Sequence, residues 1–445
     1  MLSPQKIIGR LYTTYIVLFL FFLFIGFSIF PPFHNAAMQL AMWMVGLMIA
    51  LFAYKKSIKT ITVLIFVYQL AFIFITSEIN ITQYGDILGF EPHDADFYRS
   101  CGEDFGDKPY QTFIIWLVAV FPTVDDWGFP SLMWLLYKTF GSAIAPWILR
   151  GLNALLFAWG GARLHKIACG YLEKKEANII ALFWGLMPYA VAVGANGLKE
   201  NIFVFLVISF FYYLYRSPDK SSIGGILGIL LYGSLLFLFR LATGYAAIIC
   251  VLTWYLLKKR NIQKNFALLL TIGIGAAVVL FPSVLNYITL QRGYESDFFG
   301  DRNDAKAESV GGVIGFIVNT LSSFIGPIPC FVSSDTDKLQ YLTFYSFTPL
   351  VKILTSFFFY YSFIDIIKKR RFQLMPMAVF SIINILILIV AFFGLHVRMH
   401  WPHMPLFLIM AYWGYKKYTE SKHKVPWYPL YLGFTFLLIM FYNFR

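Results

Sequence analysis

The acidic stretch between positions 86 and 107 is the densest group of side chains in the chain that could do chemistry. Asp94 and Asp96 stand two positions apart in it, and His93 precedes them. An extended backbone would aim both carboxylates at one divalent cation, for which Mg²⁺ or Mn²⁺ is the candidate. Either carboxylate could instead accept a proton from an attacking hydroxyl group. A solvated acidic loop is the plain alternative.

Isolated charges stand at the ends of apolar runs elsewhere in the chain. Lys199 and Glu200 begin one such run, and Arg240 lies in a Phe-Arg-Leu turn between two others. A charge near the boundary of the hydrocarbon is costly unless it is paired, extends to the headgroups or serves a function. These residues are therefore candidates for binding phosphate or another part of a substrate.

A basic segment late in the chain places Arg398, His400 and His403 within six residues. The planar guanidinium group matches phosphate, and an imidazole can donate a hydrogen bond to a phosphate oxygen or move a proton. Zinc bound by the histidines is a weaker interpretation, because no third ligand stands at a recognisable spacing. Acids in one segment and cations in three others predict a cavity that holds an anionic lipid head group, such as a lipid-linked sugar phosphate.

The composition is that of a polytopic membrane protein, with 59% hydrophobic residues, 48 Phe and only 13% charged residues. Lipid cannot satisfy backbone polar groups, and the apolar runs lack the alternation of barrel strands, so the predicted fold class is all-α. We expect about 13 transmembrane helices. They are predicted at 11–30, 37–54, 60–76, 143–162, 177–193, 198–215, 223–238, 241–257, 266–285, 347–367, 374–394, 404–414 and 427–443.

Clusters of Lys and Arg occupy alternate gaps between these runs. Because short basic loops stay on the cytoplasmic side, we expect a cytoplasmic N-terminus and an acidic stretch on the extracytoplasmic side of the inner membrane. The chain is predicted to be one membrane domain, residues 1–445, with outer loops at 77–142 and 286–346. The scattered basic gaps account for the net charge of +13, so no nucleic-acid partner is expected.

Three apolar pieces inside the outer loops do not fit a full crossing. The pieces at 113–121 and 132–136 are too short, and the piece at 310–332 is interrupted by Gly and Pro. We expect them to form interfacial or re-entrant helices. Cys101 and Cys330 lie in the two outer loops, where an oxidising compartment would permit a disulfide between them.

Several short motifs can be compared with known families. They are Asp94-Ala-Asp-Phe-Tyr, Leu149-Arg-Gly-Leu-Asn-Ala-Leu-Leu, Leu186-Met-Pro-Tyr, Gly197-Leu-Lys-Glu and Val397-Arg-Met-His-Trp-Pro-His-Met-Pro. Together they resemble parts of GT-C-type glycosyltransferases, the relatives of protein mannosyltransferases and aminoarabinose transferases. One departure from that family is that the acidic loop follows the third apolar run and not the first.

The resemblance implies a membrane enzyme that moves a sugar from a polyprenyl-phosphate-linked donor to a glycan or lipid acceptor. Asp94 or Asp96 would then be the catalytic base or a ligand of a divalent metal, and no organic cofactor is implied. Lys199, Arg240 and Arg398 would hold the phosphate at the extracytoplasmic face.

Two other functions stay open from the sequence. An oligosaccharide repeat-unit polymerase or ligase would also act on polyprenyl diphosphate with outer Arg and His residues. A flippase or transporter of lipid-linked sugars would instead need broken helices and charges in the middle of its spans. The charges in the sequence crowd the ends of the apolar runs, which favours an enzyme.

Overall fold

The computed structural model describes residues 34–89, 93–121, 124, 126–216, 223–258, 312–329, 336–368, 372–390, 393–421 and 427–444. Regular structure in these residues is entirely helical, which confirms the all-α prediction. The predicted spans at 11–30 and 266–285 lie outside the described residues, as does Cys330. The proposed Cys101–Cys330 disulfide therefore stays a prediction.

The first group of helices runs to residue 216. It consists of α1 (His34–Ala53), α2 (Ile58–Tyr84), α3 (His93–Phe105), α4 (Tyr110–Val120), α5 (Gly128–Ala168), α6 (Lys174–Gly185), α7 (Pro188–Ala195) and α8 (Glu200–Arg216). The second group consists of α9 (Ile223–Phe239), α10 (Leu241–Lys258), α11 (Gly312–Ile325), α12 (Thr336–Lys368), α13 (Met375–Val390), α14 (Val397–His400), α15 (Met404–Glu420) and α16 (Trp427–Phe444). Short 3-10 turns occur at Phe372–Leu374 and Trp401–His403.

Three helical segments among the described residues are long and apolar enough to cross a membrane, namely Ile58–Thr82, Gly128–Ala168 and Thr348–Lys368. The pair α6 and α7, bent by 41°, would make a fourth if it is one span. Several other apolar helices have 10–17 residues. These segments indicate a membrane protein, while the 13 crossings and the side on which each loop lies stay predictions.

A break between α6 and α7 interrupts the span predicted at 177–193, so the span is not one continuous helix. Pro188 has no backbone N–H and stands at the start of α7, where a proline is tolerated but ends the preceding helix. Polar side chains of α2 satisfy the carbonyl groups freed at the break. Gln69 Nε2 donates to the oxygen of Gly185 at 2.8 Å, and the hydroxyl of Tyr68 donates to the oxygen of Leu186 at 3.3 Å.

The apolar piece at 132–136 lies in a helical segment of its own, the early part of α5, and its interfacial position stays a prediction. α5 contains one non-helical residue, Gly141, with φ 73° and ψ 167°. This φ lies in the left-handed region, which favours glycine. The sequence therefore places a sharp kink between the early part of α5 and the predicted span at 143–162.

Arg150 joins α5 to the segments around the acidic stretch. Its guanidinium group donates hydrogen bonds to the hydroxyl of Ser77 in α2 and to the carbonyl oxygens of Pro146, Ile87 and Ala195. Ala195 is the last residue of α7, and Ile87 follows α2. A single buried side chain thus joins α2, α5 and the end of α7.

Buried charges inside predicted spans are a further difference from the sequence analysis. Arg150 lies within the predicted span 143–162, and Lys352 lies within the span 347–367. Each side chain is 1% exposed. The charges therefore do not all crowd the helix ends.

We predict that the close packing of α12 against α15 depends on Gly414. A Cβ atom added at Gly414 would overlap the backbone carbonyl of Phe358 in α12. Overpacking of this kind typically costs about 1–3 kcal/mol, so Gly414→Ala should lower the unfolding temperature of the purified protein in detergent.

Gly151→Ala is the matched control. Gly151 lies inside α5 with nothing within 4 Å of an added Cβ, so its substitution should be neutral or stabilise the helix by up to about 1 kcal/mol. Equal unfolding temperatures for both variants would contradict the predicted contact between α12 and α15.

Candidate functional site

The acidic stretch folds as a helix, so the expected extended backbone is wrong. α3 begins at His93, and both Asp94 and Asp96 lie in its first turn, where a negative charge is favourable. Side chains two positions apart on a helix do not face each other. Each of the two carboxylates accordingly binds a different arginine.

Arg398 connects three elements of the site. It lies in α14 and forms an ion pair through Nη2 with Asp94 of α3. Its Nε atom lies 2.9 Å from Oε1 of Glu200, the first residue of α8. Asp94 and Arg398 are 304 positions apart in the sequence. Their contact confirms the expectation that the acidic stretch and the late basic segment converge.

Glu200 and Asp94 contact the same arginine in different environments. The Glu200 side chain is 2% exposed, whereas that of Asp94 is 47% exposed. Neither carboxylate oxygen of Glu200 accepts a hydrogen bond from a described residue, so its charge is balanced by Arg398 and by the N-terminal end of α8. The negative charge of Glu200 raises the pKa of Arg398, burial opposes that effect, and Asp94 reinforces it. Asp94 is the accessible carboxylate of this group.

The turn before α8 places Lys199 beside a second carboxylate. Gly197, with φ 67°, allows the chain to turn from α7 into α8. Lys199 forms an ion pair with Asp126, a residue that the sequence analysis missed. Asp126 itself has φ 64°, which is uncommon outside glycine, and the only signal for it was an Asp-Asp pair between two apolar pieces.

Tyr98 lies between these two ion pairs and was also missed. The Nζ atom of Lys199 is 5.3 Å from the centroid of its ring. Burial raises the pKa of Tyr98, and the carboxylates of Asp126, Glu200 and Asp94 raise it further, while Arg398 lowers it. The phenol therefore stays protonated, and its hydroxyl can donate a hydrogen bond in this region.

Arg99 forms a separate ion-pair group on the same helix. Its Nη1 lies 2.8 Å from Oδ2 of Asp86, and its Nη2 lies 2.5 Å from Oδ1 of Asp96. The backbone N–H of Leu88 also donates to Asp86, at 2.9 Å. Burial raises the pKa of Asp86, but this hydrogen bond and the charge of Arg99 outweigh it, so the pKa lies below its ordinary value. Asp96 thus pairs with Arg99 on the same helix, and Arg99 connects α3 to the segment after α2.

Arg240 lies beside the start of α8 without an ion pair to any described residue. Its guanidinium carbon is 5.4 Å from the centroid of the Phe203 ring, and Phe203 follows Lys199 by one helical turn. The side chain is half-buried. Arg240 is therefore placed near the acid and base groups, as the sequence analysis expected, but it is not bound to them.

His400 and His403 do not share the environment of Arg398. Both histidines are buried, at 3% and 0% exposure, and His400 contacts Lys352 of α12. Trp401 anchors this segment by stacking on Trp184 of α6, with ring centroids 4.6 Å apart. In this segment Arg398 therefore contacts the carboxylates of Asp94 and Glu200, whereas both histidines lie in the interior. The side chain of His93 lies outside the described residues.

A metal centre receives no support from the arrangement of these side chains. No group of three His, Cys, Asp or Glu residues within the described ranges could hold a metal ion. Asp94 and Asp96 are directed to different arginines, so they do not fit a single shared cation. A divalent cation at these residues stays a prediction from the family resemblance.

Comparison of the chain with family models, with curated proteins and with solved structures finds no match. The resemblance to GT-C glycosyltransferases accordingly rests on the short sequence motifs.

We predict that Asp86 stabilises the fold at neutral pH and not in acid. Because the folded-state pKa is lowered, the stabilisation is present above the unfolded pKa, about 3.9, and is lost as the pH falls through the folded value. Asp86→Asn keeps an acceptor for Leu88 but removes the charge. The pair with Arg99 is partly exposed, so the loss at pH 7 should be at most about 1 kcal/mol.

The measurement is the unfolding temperature of wild type and of Asp86→Asn in detergent at pH 7 and pH 3.5. The difference between the two proteins should be smaller at pH 3.5. Asp104→Asn, an exposed substitution on α3, is the control and should leave the unfolding temperature unchanged at pH 7. A constant difference between wild type and Asp86→Asn at both pH values would contradict the prediction.

Proposed function

We propose that the chain is a membrane glycosyltransferase that moves a sugar from a polyprenyl-phosphate-linked donor to a glycan or lipid acceptor. The observation that carries this proposal is the contact of an accessible carboxylate, Asp94, with an arginine, Arg398, at the ends of distant segments. Transfer of a sugar from a phosphate requires a base that takes the proton of the acceptor and a cation that stabilises the departing phosphate, close to each other. The extracytoplasmic face is the proposed side, from the distribution of basic loops.

In the proposed reaction, the carboxylate of Asp94 accepts the proton of the acceptor hydroxyl. The acceptor oxygen forms a bond with the anomeric carbon of the sugar as the bond from that carbon to the phosphate oxygen breaks. The electron pair of the broken bond stays on the departing phosphate, which gains negative charge. Arg398 is placed to stabilise this charge, and because Glu200 also engages Arg398, the guanidinium group is held in position before the substrate arrives.

Lys199 and Arg240 are the further cations proposed to contact the lipid phosphate. Lys199 is bound to Asp126, so it would approach phosphate only with a change in that ion pair. Arg240 has no carboxylate partner among the described residues. Since Asp94 and Asp96 do not fit one cation, no step of this reaction passes through a metal.

A polymerase or ligase that joins oligosaccharide repeat units is a related candidate. One observation favours the polymerase or ligase. Asp94 pairs directly with an arginine, whereas a metal-dependent site would gather several carboxylates. The two enzymes differ in their products. Chain lengthening on polyprenyl diphosphate in the presence of EDTA would favour the polymerase, whereas a single added sugar would favour the transferase.

Two observations from the fold favour a flippase of lipid-linked sugars. Lys352 is a fully buried charge inside a helix long enough to span a membrane, and α6 and α7 form a broken pair. Transport of a lipid-linked sugar in proteoliposomes, without any change in that lipid, would favour the flippase over both enzymes.

We predict that Asp94 and Asp96 differ in their effect on transfer. Loss of a general base typically lowers a rate by about 10²–10⁴-fold, and we expect this for Asp94→Asn. Asp96→Asn is the matched control, because Asp96 binds Arg99 and not Arg398, and it should retain activity within about tenfold.

Transfer of radiolabelled sugar from a lipid-linked donor in membranes, normalised to folded protein, is the measurement. Arg398→Lys should show an intermediate loss, because one ammonium group cannot contact Asp94 and Glu200 as the planar guanidinium does. Full activity of Asp94→Asn would end the assignment of Asp94 as the base.

A further inference from the structure

Lys352 is a basic residue in the interior for which the proposed reaction has no role. It lies in α12, its side chain is 1% exposed, and it forms no ion pair with a described residue. A buried cation without a carboxylate is strongly unfavourable, and ionisable residues inside a membrane helix commonly mark a binding site or a pathway. Among the described residues Lys352 contacts a ring nitrogen of His400 and lies 5.6 Å from the ring centroid of Phe407, and neither of these partners carries a negative charge.

Hydrogen bonding determines which atom of His400 faces Lys352. The Nε2 atom of His400 lies 2.8 Å from the carbonyl oxygen of Gly394, and the N–H of Gly394 donates to Asn319 at 2.8 Å. Because a carbonyl oxygen can only accept, Nε2 carries the hydrogen and Nδ1 presents a lone pair. Lys352 donates one hydrogen bond to this Nδ1. An ammonium group has three N–H donors, so two stay available for another acceptor.

His403 adds a second group with unused hydrogen-bonding capacity. It is 0% exposed, and neither ring nitrogen has a partner among the described residues. Its ring centroid lies 5.9 Å from that of His400. Buried polar atoms are nearly always hydrogen-bonded in folded proteins, so an unpaired imidazole beside an ammonium group is a candidate for binding a ligand.

The charged groups that surround these side chains, within the described ranges, are all basic. The charges that act on His400 are those of Lys352 and His396, and those that act on His403 are Lys352 and His400. The backbone also turns at Gly326, with φ 125°, and an added Cβ there would lie 3.2 Å from Cβ of Lys352.

Residues 326–329, which follow this turn, are buried and non-helical. Irregular backbone within a membrane protein is tolerated where it is covered by protein or lines a binding cavity. N–H donors that stay unused, with no acidic group beside them in the described part of the chain, suit an anion.

We propose that Lys352, His400 and His403 form a buried phosphate-binding site, separate from the contact between Arg398 and Asp94. The ammonium group of Lys352 and the N–H of His403 would donate to phosphate oxygens, while His400 holds Lys352 in place. The inference rests on the proposed function only for the source of the phosphate, a polyprenyl phosphate. Free inorganic phosphate offers the same chemistry. The binding experiment below distinguishes it from a polyprenyl phosphate.

The test is a binding measurement on the full chain in detergent, with farnesyl phosphate, farnesol and inorganic phosphate as probes. We expect wild type to bind farnesyl phosphate and not farnesol. Lys352→Met and His403→Phe should each raise the dissociation constant of farnesyl phosphate by about tenfold or more, as for loss of a charge-assisted hydrogen bond. Binding of inorganic phosphate with the same dependence on Lys352 would support the site with free phosphate as its ligand.

Arg398→Gln separates this inference from the proposed function. Binding that survives Arg398→Gln but is lost in Lys352→Met supports the buried site, even if no sugar transfer is ever observed. Binding that is lost in Arg398→Gln and unchanged in Lys352→Met and His403→Phe overturns the buried site and leaves the proposed enzyme intact.

The unliganded stability of the variants gives a second criterion. Because Lys352→Met removes an uncompensated buried charge, its unfolding temperature without phosphate should equal or exceed that of wild type. A lower unfolding temperature, together with normal binding by His403→Phe, would show that Lys352 is structural and would overturn the inference.

Discussion

The balance of charge around Glu200 is the constraint on which the site depends. A buried carboxylate requires a cation, and Arg398 provides it from a segment almost 200 residues later in the chain. The same guanidinium group also binds Asp94, so the starts of α3 and α8 are brought to α14 by a single residue. Loss of this arginine would leave two like charges close together, one of them buried.

Satisfaction of polar groups inside apolar helices is the second organising principle. Arg150 donates to four oxygen acceptors in α2, α5, α7 and the segment after α2, and Gln69 donates to a carbonyl group at the break after α6. In lipid these backbone groups would have no water as a substitute. Polar side chains of one helix therefore permit the breaks in another, and those breaks bring α7 and α8 beside the acidic helix α3.

The segment 398–403 serves two environments because of helical geometry. Arg398 and His400 are two positions apart, so their side chains leave the helix on different faces. One face contacts the carboxylates of α3 and α8, while the other contacts Lys352 in α12. The accessible acid and the buried bases are thereby kept apart.

The amino-acid sequence by itself determined the helical fold, most helix positions and the approach of the acidic stretch to the late basic segment, because apolar runs in lipid have few alternatives and unpaired charges at their ends are costly. It could not decide which side of a helix each charge occupies. The tertiary structure alone separated Asp94 from Asp96, paired Lys199 with Asp126, and placed Lys352 against His400. These pairings depend on the rotation and contact of helices distant in the chain, which local sequence patterns do not encode.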